Sequence, residues 1–278
     1  MTDFIHQDAL AHLSRAETRL ASVLARPRTI AVACVLALTA AGWLALGLFA
    51  SNAEIWDALC RAGTPGEWGG FTLVLSMWVA MVLAMMLPTA GPMILTYAEI
   101  ADTAAHKGEP VVSPLVLAAG YVAVWLGFAL FAPALQIALT RVGLLDSGKA
   151  GSALAGAIFL IAGGYQFSTL KHACLSKCQR PFPFLFSNWT EEKRGVFKLG
   201  VRQGLYCLGC CWAMMAVMFA VGAMNIVWMA ALGIVMTVEK MTSTPRFSRV
   251  LGVAFVMIGL ALIASSVARA EFLGWVGV

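Results

Sequence analysis

The sequence predicts an all-α protein, a polytopic transmembrane bundle of about seven helices. Of its 278 residues, 60% are hydrophobic and only 12% are charged, whereas soluble domains carry about 25% charged residues. The uncharged residues also form long runs, and about 20 consecutive apolar residues are enough to cross a bilayer as a helix. Because the basic residues lie in the segments between these runs, the net charge of +5 does not indicate nucleic-acid binding.

Seven apolar runs follow a polar N-terminal arm. The arm, residues 1–28, predicts either a cytoplasmic amphipathic helix lying on the membrane surface or a solvated tail. Residues 29–278 are predicted to form one transmembrane domain, with a kink at Pro88 and Pro92 in its second span. The predicted spans are 29–50, 71–98, 113–140, 150–170, 201–221, 224–238 and 247–268.

Two features separate the later spans. Residues 171–199 are predicted to form a long basic loop without regular helix, because Pro181 and Pro183 disfavour one. Residues 200–238 contain almost no polar gap, and the best turn within them is Gly222 to Asn225. This turn divides the region into two spans and gives the total of seven.

The lysines and arginines predict the orientation of the chain, because cytoplasmic loops carry an excess of them. With seven alternating spans and the N-terminus inside, fifteen of the 19 basic residues lie inside and four outside. If residues 200–238 formed a single span, the excess of basic residues inside would be smaller. The inside residues are Arg15, Arg19, Arg26, Arg28, Lys107, Lys171, Lys177, Arg180, Lys193, Arg194, Lys198, Arg202, Lys240, Arg246 and Arg249, and the outside residues are Arg61, Arg141, Lys149 and Arg269.

Two short motifs near the predicted cytoplasmic side contain five of the seven cysteines. The first, HACLSKC, adds His172, and in the second Cys207 and Cys211 share one helical face. Soft thiolate and imidazole ligands select copper(I), zinc or iron–sulfur chemistry, and the cytoplasm keeps thiols reduced. We therefore expect a site for copper(I), or next for zinc, with His172 as an additional ligand. The expected primary ligands are Cys174, Cys178, Cys207, Cys210 and Cys211.

Simpler interpretations of these cysteines remain open. A single buried cysteine behaves as a small hydrophobic residue, and we interpret Cys34 and Cys60 in this way. The motif Cys207-x-x-Cys210-Cys211 taken alone also fits core packing or thiol redox chemistry. The second motif, close by in the predicted topology, favours a metal site.

Methionines give a second pattern of soft ligands. Met77, Met81 and Met85 recur at every fourth residue of the second span, and Met214 and Met218 continue the cysteine stripe of the fifth. Thioethers suit copper(I) and need no deprotonation, so these five residues are candidate transient sites along a metal path. The alternative is that they fill gaps at helix contacts. The sequence does not decide whether the two stripes face each other.

Three other positions combine polarity with an apolar setting. Glu239 and Lys240 close the sixth span, and they are either a functional intramembrane pair or a pair that snorkels to the surface. Gln166, in the fourth span, is expected to hydrogen-bond between helices rather than to orient the metal site.

Three functions fit these observations. The first is the binding or movement of a soft transition metal, and the second is a membrane thiol–disulfide or metal-centred oxidoreductase. The third is an assembly or chaperone subunit that holds metal for a partner. The bases of the 171–199 loop would contact anionic lipid headgroups or dock a partner protein. The sequence shows no catalytic triad, phosphate-binding loop or paired intramembrane carboxylates, so no catalytic residue is assigned.

Three stretches resemble a known family. They are MWVAMVLAMMLP (Met77 to Pro88), YQFSTLKHACLSKC (Tyr165 to Cys178) and GLYCLGCCWAMMAVMFAVGAMNIVWM (Gly204 to Met229), the last followed by the Glu-Lys pair at 239–240. Over about residues 70–268, the sequence is similar to the bacterial family of predicted metal-binding integral membrane proteins, a domain of unknown function. The resemblance implies a helical fold in the bacterial inner membrane and a metal site on the five cysteines, and it implies no reaction and no particular metal.

Overall fold

The computed structural model describes residues 27–61, 69–142, 144, 149–221, 225–242 and 244–276. Within these ranges the chain is helical apart from turns and short connections, and no strand occurs. This confirms the all-α prediction. The predicted N-terminal arm, apart from Pro27 and Arg28, lies outside the described residues.

Eleven helices occur in the described part of the chain. They are α1 Pro27–Ser51, α2 Ala53–Arg61, α3 Gly69–Met81, α4 Leu87–His106, α5 Pro114–Arg141, α6 Lys149–Tyr165, α7 Thr169–Gln179, α8 Pro181–Ser187, α9 Lys193–Val221, α10 Ile226–Met241 and α11 Pro245–Val276. A π-helical segment, Val82–Met86, joins α3 to α4 and ends two residues before Pro88.

Among the residues that the structure describes, five stretches are long and apolar enough to cross a membrane. They are Arg28–Ser51, Gly70–Ala104, Pro114–Arg141, Lys193–Val221 and Pro245–Val267. The bent pair α6 and α7, which meet at 66°, makes a sixth if it crosses as one span. The remaining predicted span is α10, whose 16 residues are about 24 Å long, less than a bilayer core of about 30 Å.

The prediction that residues 171–199 contain no regular helix is wrong. Helix α7 begins after Ser168, whose side chain caps the Lys171 amide, and a short helix α8 begins at Pro181. Proline is tolerated in the first turn of a helix, where its missing N–H group would have no intrahelical partner. Cys174 and Cys178 therefore lie on one face of a helix rather than in a loop.

Close helix packing holds α9 against α5. A Cβ atom added to Gly200 would lie 2.1 Å from the Leu117 carbonyl oxygen, and one added to Gly120 would lie 2.2 Å from that of Phe197. Only glycine allows the two backbones to approach so closely. This contact places the second cysteine motif, about two to three turns further along α9, in the centre of the bundle.

The two methionine-rich regions contact each other through aromatic side chains. The rings of Trp78, beside Met77, and Phe219, beside Met218, are 5.4 Å apart. The methionines of both stripes are buried in the same core, and Met85 packs against Gly233 of α10. The two regions therefore meet at the Trp78–Phe219 ring pair, and their methionines share one buried core.

Contacts in the bundle show the relative directions of two pairs of helices. Arg28 at the start of α1 pairs with Glu99 near the end of α4 at 3.1 Å. Helices α6 and α11 run antiparallel, since Gly156 meets Gly259 while Gly163 meets Gly252. The break predicted around Gly222 to Asn225 also occurs, because α9 ends at Val221 and the Asn225 side chain caps α10.

Candidate metal centre

Three buried cysteines of α9 form a compact thiol group. The sulfur atoms of Cys207, Cys210 and Cys211 all lie within 4.8 Å of one another. Their spacing along the helix places them on neighbouring turns of one face, and the thiols of Cys210 and Cys211 both donate to the Cys207 carbonyl oxygen, at 3.0 and 2.8 Å. Two sulfurs bound to one ion at about 2.3 Å each are at most about 4.6 Å apart, so small rotamer changes would let one ion bridge them.

Helix α7 brings the other two predicted cysteines to this group. The Cys178 thiol interacts with the thiols of Cys207 and Cys210. Cys174 faces Gly209, where an added Cβ atom would lie 2.8 Å from its sulfur. Both α7 cysteines are half-buried, whereas those of α9 are buried. The fold therefore unites all five cysteines that the sequence predicts as ligands, and they form a cluster graded from half-buried to fully enclosed.

His172 lies apart from this cluster. It is half-buried on α7, and two residues before Cys174 it falls on roughly the opposite side of the helix. The compact thiol group contains no histidine. Its predicted role as an additional ligand stays a prediction without support from this geometry.

The five predicted methionines are all buried in the core that surrounds the cluster. Met214 and Met218 follow the cysteines along α9, on the side of the bundle where Trp78 meets Phe219. Burial of this kind fits core packing and a thioether path equally well, and their role as transient ligands stays a prediction.

A buried lysine, which the sequence places only at a helix end, contacts the thiol group directly. The Lys240 ammonium group donates to Cys207 Sγ at 2.8 Å and to Thr89 Oγ1 at 2.8 Å. Tyr121 Oη lies 3.0 Å from the same sulfur and donates to the Met86 carbonyl oxygen of the π-helical segment at 3.0 Å. Cys207 is thus the best candidate in the cluster for a thiolate, because a cation and a hydroxyl group both face its sulfur.

The neighbouring residue Glu239 belongs to a separate buried network. Its carboxylate lies 2.8 Å from the Lys171 ammonium group and accepts a hydrogen bond from Ser248 at 2.6 Å. Lys171 also donates to Gln166. Glu239 is 2% exposed and Lys240 is 9% exposed, so the alternative that these two residues form a snorkelling surface pair is wrong. Gln166 bonds to Lys171, at the start of α7, and not to a cysteine.

Both ends of α7 are attached to the end of α10. Lys171 pairs with Glu239 at the first turn of α7. At its last turn, the Gln179 amide group donates to the carbonyl oxygens of Glu239 at 3.0 Å and Thr242 at 2.7 Å. These contacts hold Cys174 and Cys178 over α9, and Tyr165 adds a third link by donating to the Gly209 carbonyl oxygen at 2.6 Å.

Sequence reasoning missed Tyr121 and Thr89 and left Lys240 undecided. Their signal was weak, because none of the three residues belongs to a recognisable motif and their partners lie on other helices. Consecutive residues on a helix point about 100° apart, so Glu239 and Lys240 had to face different neighbours. This angle argues against a simple surface pair of Glu239 and Lys240, although it identifies the partner of neither residue.

Fold and site together define a class of protein. It is all-helical, it has several helices long and apolar enough to cross a membrane, and its buried cysteine group fits the binding or handling of a metal ion. A family model described as PpoB2, copper chaperone, matches residues 75–262. This match covers more than half of the chain, and the protein belongs to that family.

No curated protein and no solved structure matches the chain. The family match supports the metal-related part of the resemblance seen in the sequence, and it says nothing about a membrane. All five clustered cysteines, together with Lys240 and Tyr121, lie within the matched residues.

Proposed function

We propose that this protein binds copper(I) at the cysteine cluster of α7 and α9 and hands it to a partner protein. The observation that carries the proposal is the convergence of three buried sulfur atoms within 4.8 Å of one another. Two half-buried cysteines beside them supply a route for exchange. A site that both holds and exchanges its ion fits a family described as copper chaperones.

Copper(I) is favoured over zinc by the donor set around the cluster. Thiolates bind either ion, whereas the thioethers of Met214 and Met218 suit copper(I) better. The remaining candidate path ligands, Met77, Met81 and Met85, are of the same kind. Lys240 favours binding of either ion, because its positive charge offsets that of an anionic metal–thiolate centre in a medium of low dielectric constant.

The proposed location is the bacterial inner membrane, with seven spans, the N-terminus inside and the cluster near the cytoplasmic face. The distribution of basic residues supports this orientation. The packing supports the alternation of the first two spans, because the start of α1 and the end of α4 lie together at one side of the bundle. If only six spans cross the bilayer, α10 would be the helix that enters the membrane without reaching its other side.

The residues around the cysteine cluster indicate which lipids and proteins it would meet. Anionic lipid headgroups would meet the exposed bases near the start of α9, and the α7–α8 region, within 171–199, would dock the protein that receives the metal. His172, half-buried on α7, would face that partner more readily than the cluster.

Metal titration of the purified protein tests the proposal. Detergent-purified protein is loaded anaerobically with copper(I) or zinc, and competition with a colorimetric copper(I) chelator gives stoichiometry and affinity. We expect Cys207→Ser with Cys211→Ser to remove tight copper(I) binding, whereas Cys34→Ser, a cysteine outside the cluster, leaves it unchanged. Equal copper binding in all three proteins would contradict the proposal. A titratable dithiol without metal affinity would favour the oxidoreductase alternative.

A further inference from the structure

A basic cavity lies beside the cysteine cluster, between α7, α8 and the first half of α9. Its volume is about 510 Å³, and three cationic side chains line it: Lys177, Arg180 and Arg202. Side chains of Ser176, Ser187 and Asn188 add hydrogen-bonding groups to the wall, and no carboxylate lines it.

The cations of this cavity have no acidic partner among the described residues, where the ion pairs are Arg28 with Glu99 and Lys171 with Glu239. Arg202 is held in place by Asn188, to whose Oδ1 it donates at 2.8 Å, and by the Phe184 ring at 5.8 Å. Three unneutralised positive charges around one concave space attract a multiply charged anion, and an ordered guanidinium group suits a carboxylate or a phosphate.

The cavity adjoins the metal-exchange end of the cluster. Lys177 directly precedes Cys178, and Tyr206, also in the wall, directly precedes Cys207. Gln203 of α9 donates to the Lys177 carbonyl oxygen at 3.4 Å. Along both helices the cavity wall therefore comes within one residue of a cluster cysteine, Cys178 on α7 and Cys207 on α9.

We propose that this cavity binds the copper(I) donor, a small anionic thiol of peptide type that carries the ion to the protein. The inference rests on the proposed copper function. In a reducing compartment copper(I) is bound by thiols, and the two carboxylates of a small peptide thiol match the three cations that line the cavity. The cavity therefore recognises the carrier, and the cysteines beside it take the metal.

The transfer is a ligand exchange that leaves copper as copper(I). The Cys178 sulfur forms a bond to copper as the bond between copper and the donor sulfur breaks. The proton that leaves the Cys178 thiol goes to the released donor thiolate, so that no oxidant or reductant is needed. A second exchange would pass the ion to Cys207 or Cys210, with which the Cys178 thiol interacts.

The test uses S-methylglutathione, which keeps both carboxylates and has no thiol to bind metal. Calorimetry is carried out on the metal-free full chain in nanodiscs of zwitterionic lipid. We expect Lys177→Gln with Arg180→Gln to weaken binding by roughly tenfold or more, because hydrogen bonds between charged groups are about twice as strong as neutral ones. The matched control, Arg194→Gln with Lys198→Gln, removes two exposed charges of α9 outside the cavity and should change binding less than about twofold.

Three outcomes would overturn the inference. They are no binding to the unaltered protein, equal binding to the cavity variant, and loss of binding when anionic lipid replaces zwitterionic lipid, which would assign the cavity to headgroup phosphates. Copper(I) supplied as its acetonitrile complex gives a separate readout. Normal loading of the cavity variant from that complex shows an intact fold, and failure of the unaltered protein to load would reject the copper function itself.

Discussion

At the scale of single residues, Lys240 sets the charge of the cysteine cluster. Its ammonium group is buried among α4, α9 and α10, and its described partners are a thiol and a hydroxyl group rather than a carboxylate. A buried cation without a counter-ion is strongly unfavourable. The arrangement is balanced if Cys207 carries the opposite charge, which is the state that binds metal.

Replacing this lysine should weaken metal binding. Lys240→Met keeps the length and the apolar stem but removes the charge, and a hydrogen bond to a charged group contributes about 1.5–3 kcal/mol. We expect the copper(I) affinity to fall by roughly tenfold to a hundredfold, measured by chelator competition. Lys107→Met, at an exposed position, is the control. An unchanged affinity in a folded Lys240→Met protein would show that the charge does not act on the site.

The buried pair of Lys171 and Glu239 makes a different prediction, because removal of one partner leaves the other charge buried and unpaired. Lys171→Met or Glu239→Gln alone should destabilise the protein by about 3–5 kcal/mol. The double variant should be clearly more stable than either single one. Unfolding of the detergent-solubilised proteins measures this, and additive effects of the two changes would contradict a direct pair.

At the scale of elements, the crossing of α5 and α9 positions the cluster. Gly120 and Gly200 allow the contact, and Tyr121, next to Gly120, reaches Cys207 from α5. Any side chain at these glycines would push α5 and α9 apart and move the tyrosine away from the sulfur.

Gly200→Ala should therefore destabilise the fold by roughly 1–3 kcal/mol through overpacking, and it should weaken metal binding as well. Gly127→Ala is the matched control, because an added Cβ atom there has no neighbour within 4 Å. In the interior of α5 that control should be neutral or stabilising by about 0.5–1 kcal/mol. Melting temperatures of the two variants test the difference, and equal melting temperatures would contradict the close contact.

The helices also show how much of the fold can be predicted from the sequence. Runs of apolar residues predict helices such as α1, α5 and α9 well, although α9 begins at Lys193 rather than at 201. Helix α7 was missed because its composition is mixed and prolines follow it. The metal-binding role of the five cysteines stays a prediction, but their grouping was predictable from the spacing of the two motifs. Lys240 and Tyr121 were not, because their partners are 33 and 86 residues away along the chain.

At the scale of the whole molecule, the proposed orientation places the start of α9 in the cytoplasm and the end of α5 outside. In a background where Cys34 and Cys60, the two cysteines outside the cluster, are replaced by serine, cysteines introduced at Glu191 and Val142 test this. Both positions are exposed. A membrane-impermeant maleimide should label Val142→Cys in intact cells and label Glu191→Cys only after lysis. The reverse pattern would invert the topology and expose the cluster to the outside.

The most direct test of the central claim is X-ray absorption at the copper edge of the copper(I)-loaded full-length protein. The cysteine cluster predicts a copper(I) edge and a first coordination shell made of sulfur alone. It also predicts that this shell is lost in Cys207→Ser with Cys211→Ser. A shell of nitrogen and oxygen, or a sulfur shell that survives the double substitution, would contradict the assignment of the metal to these thiols.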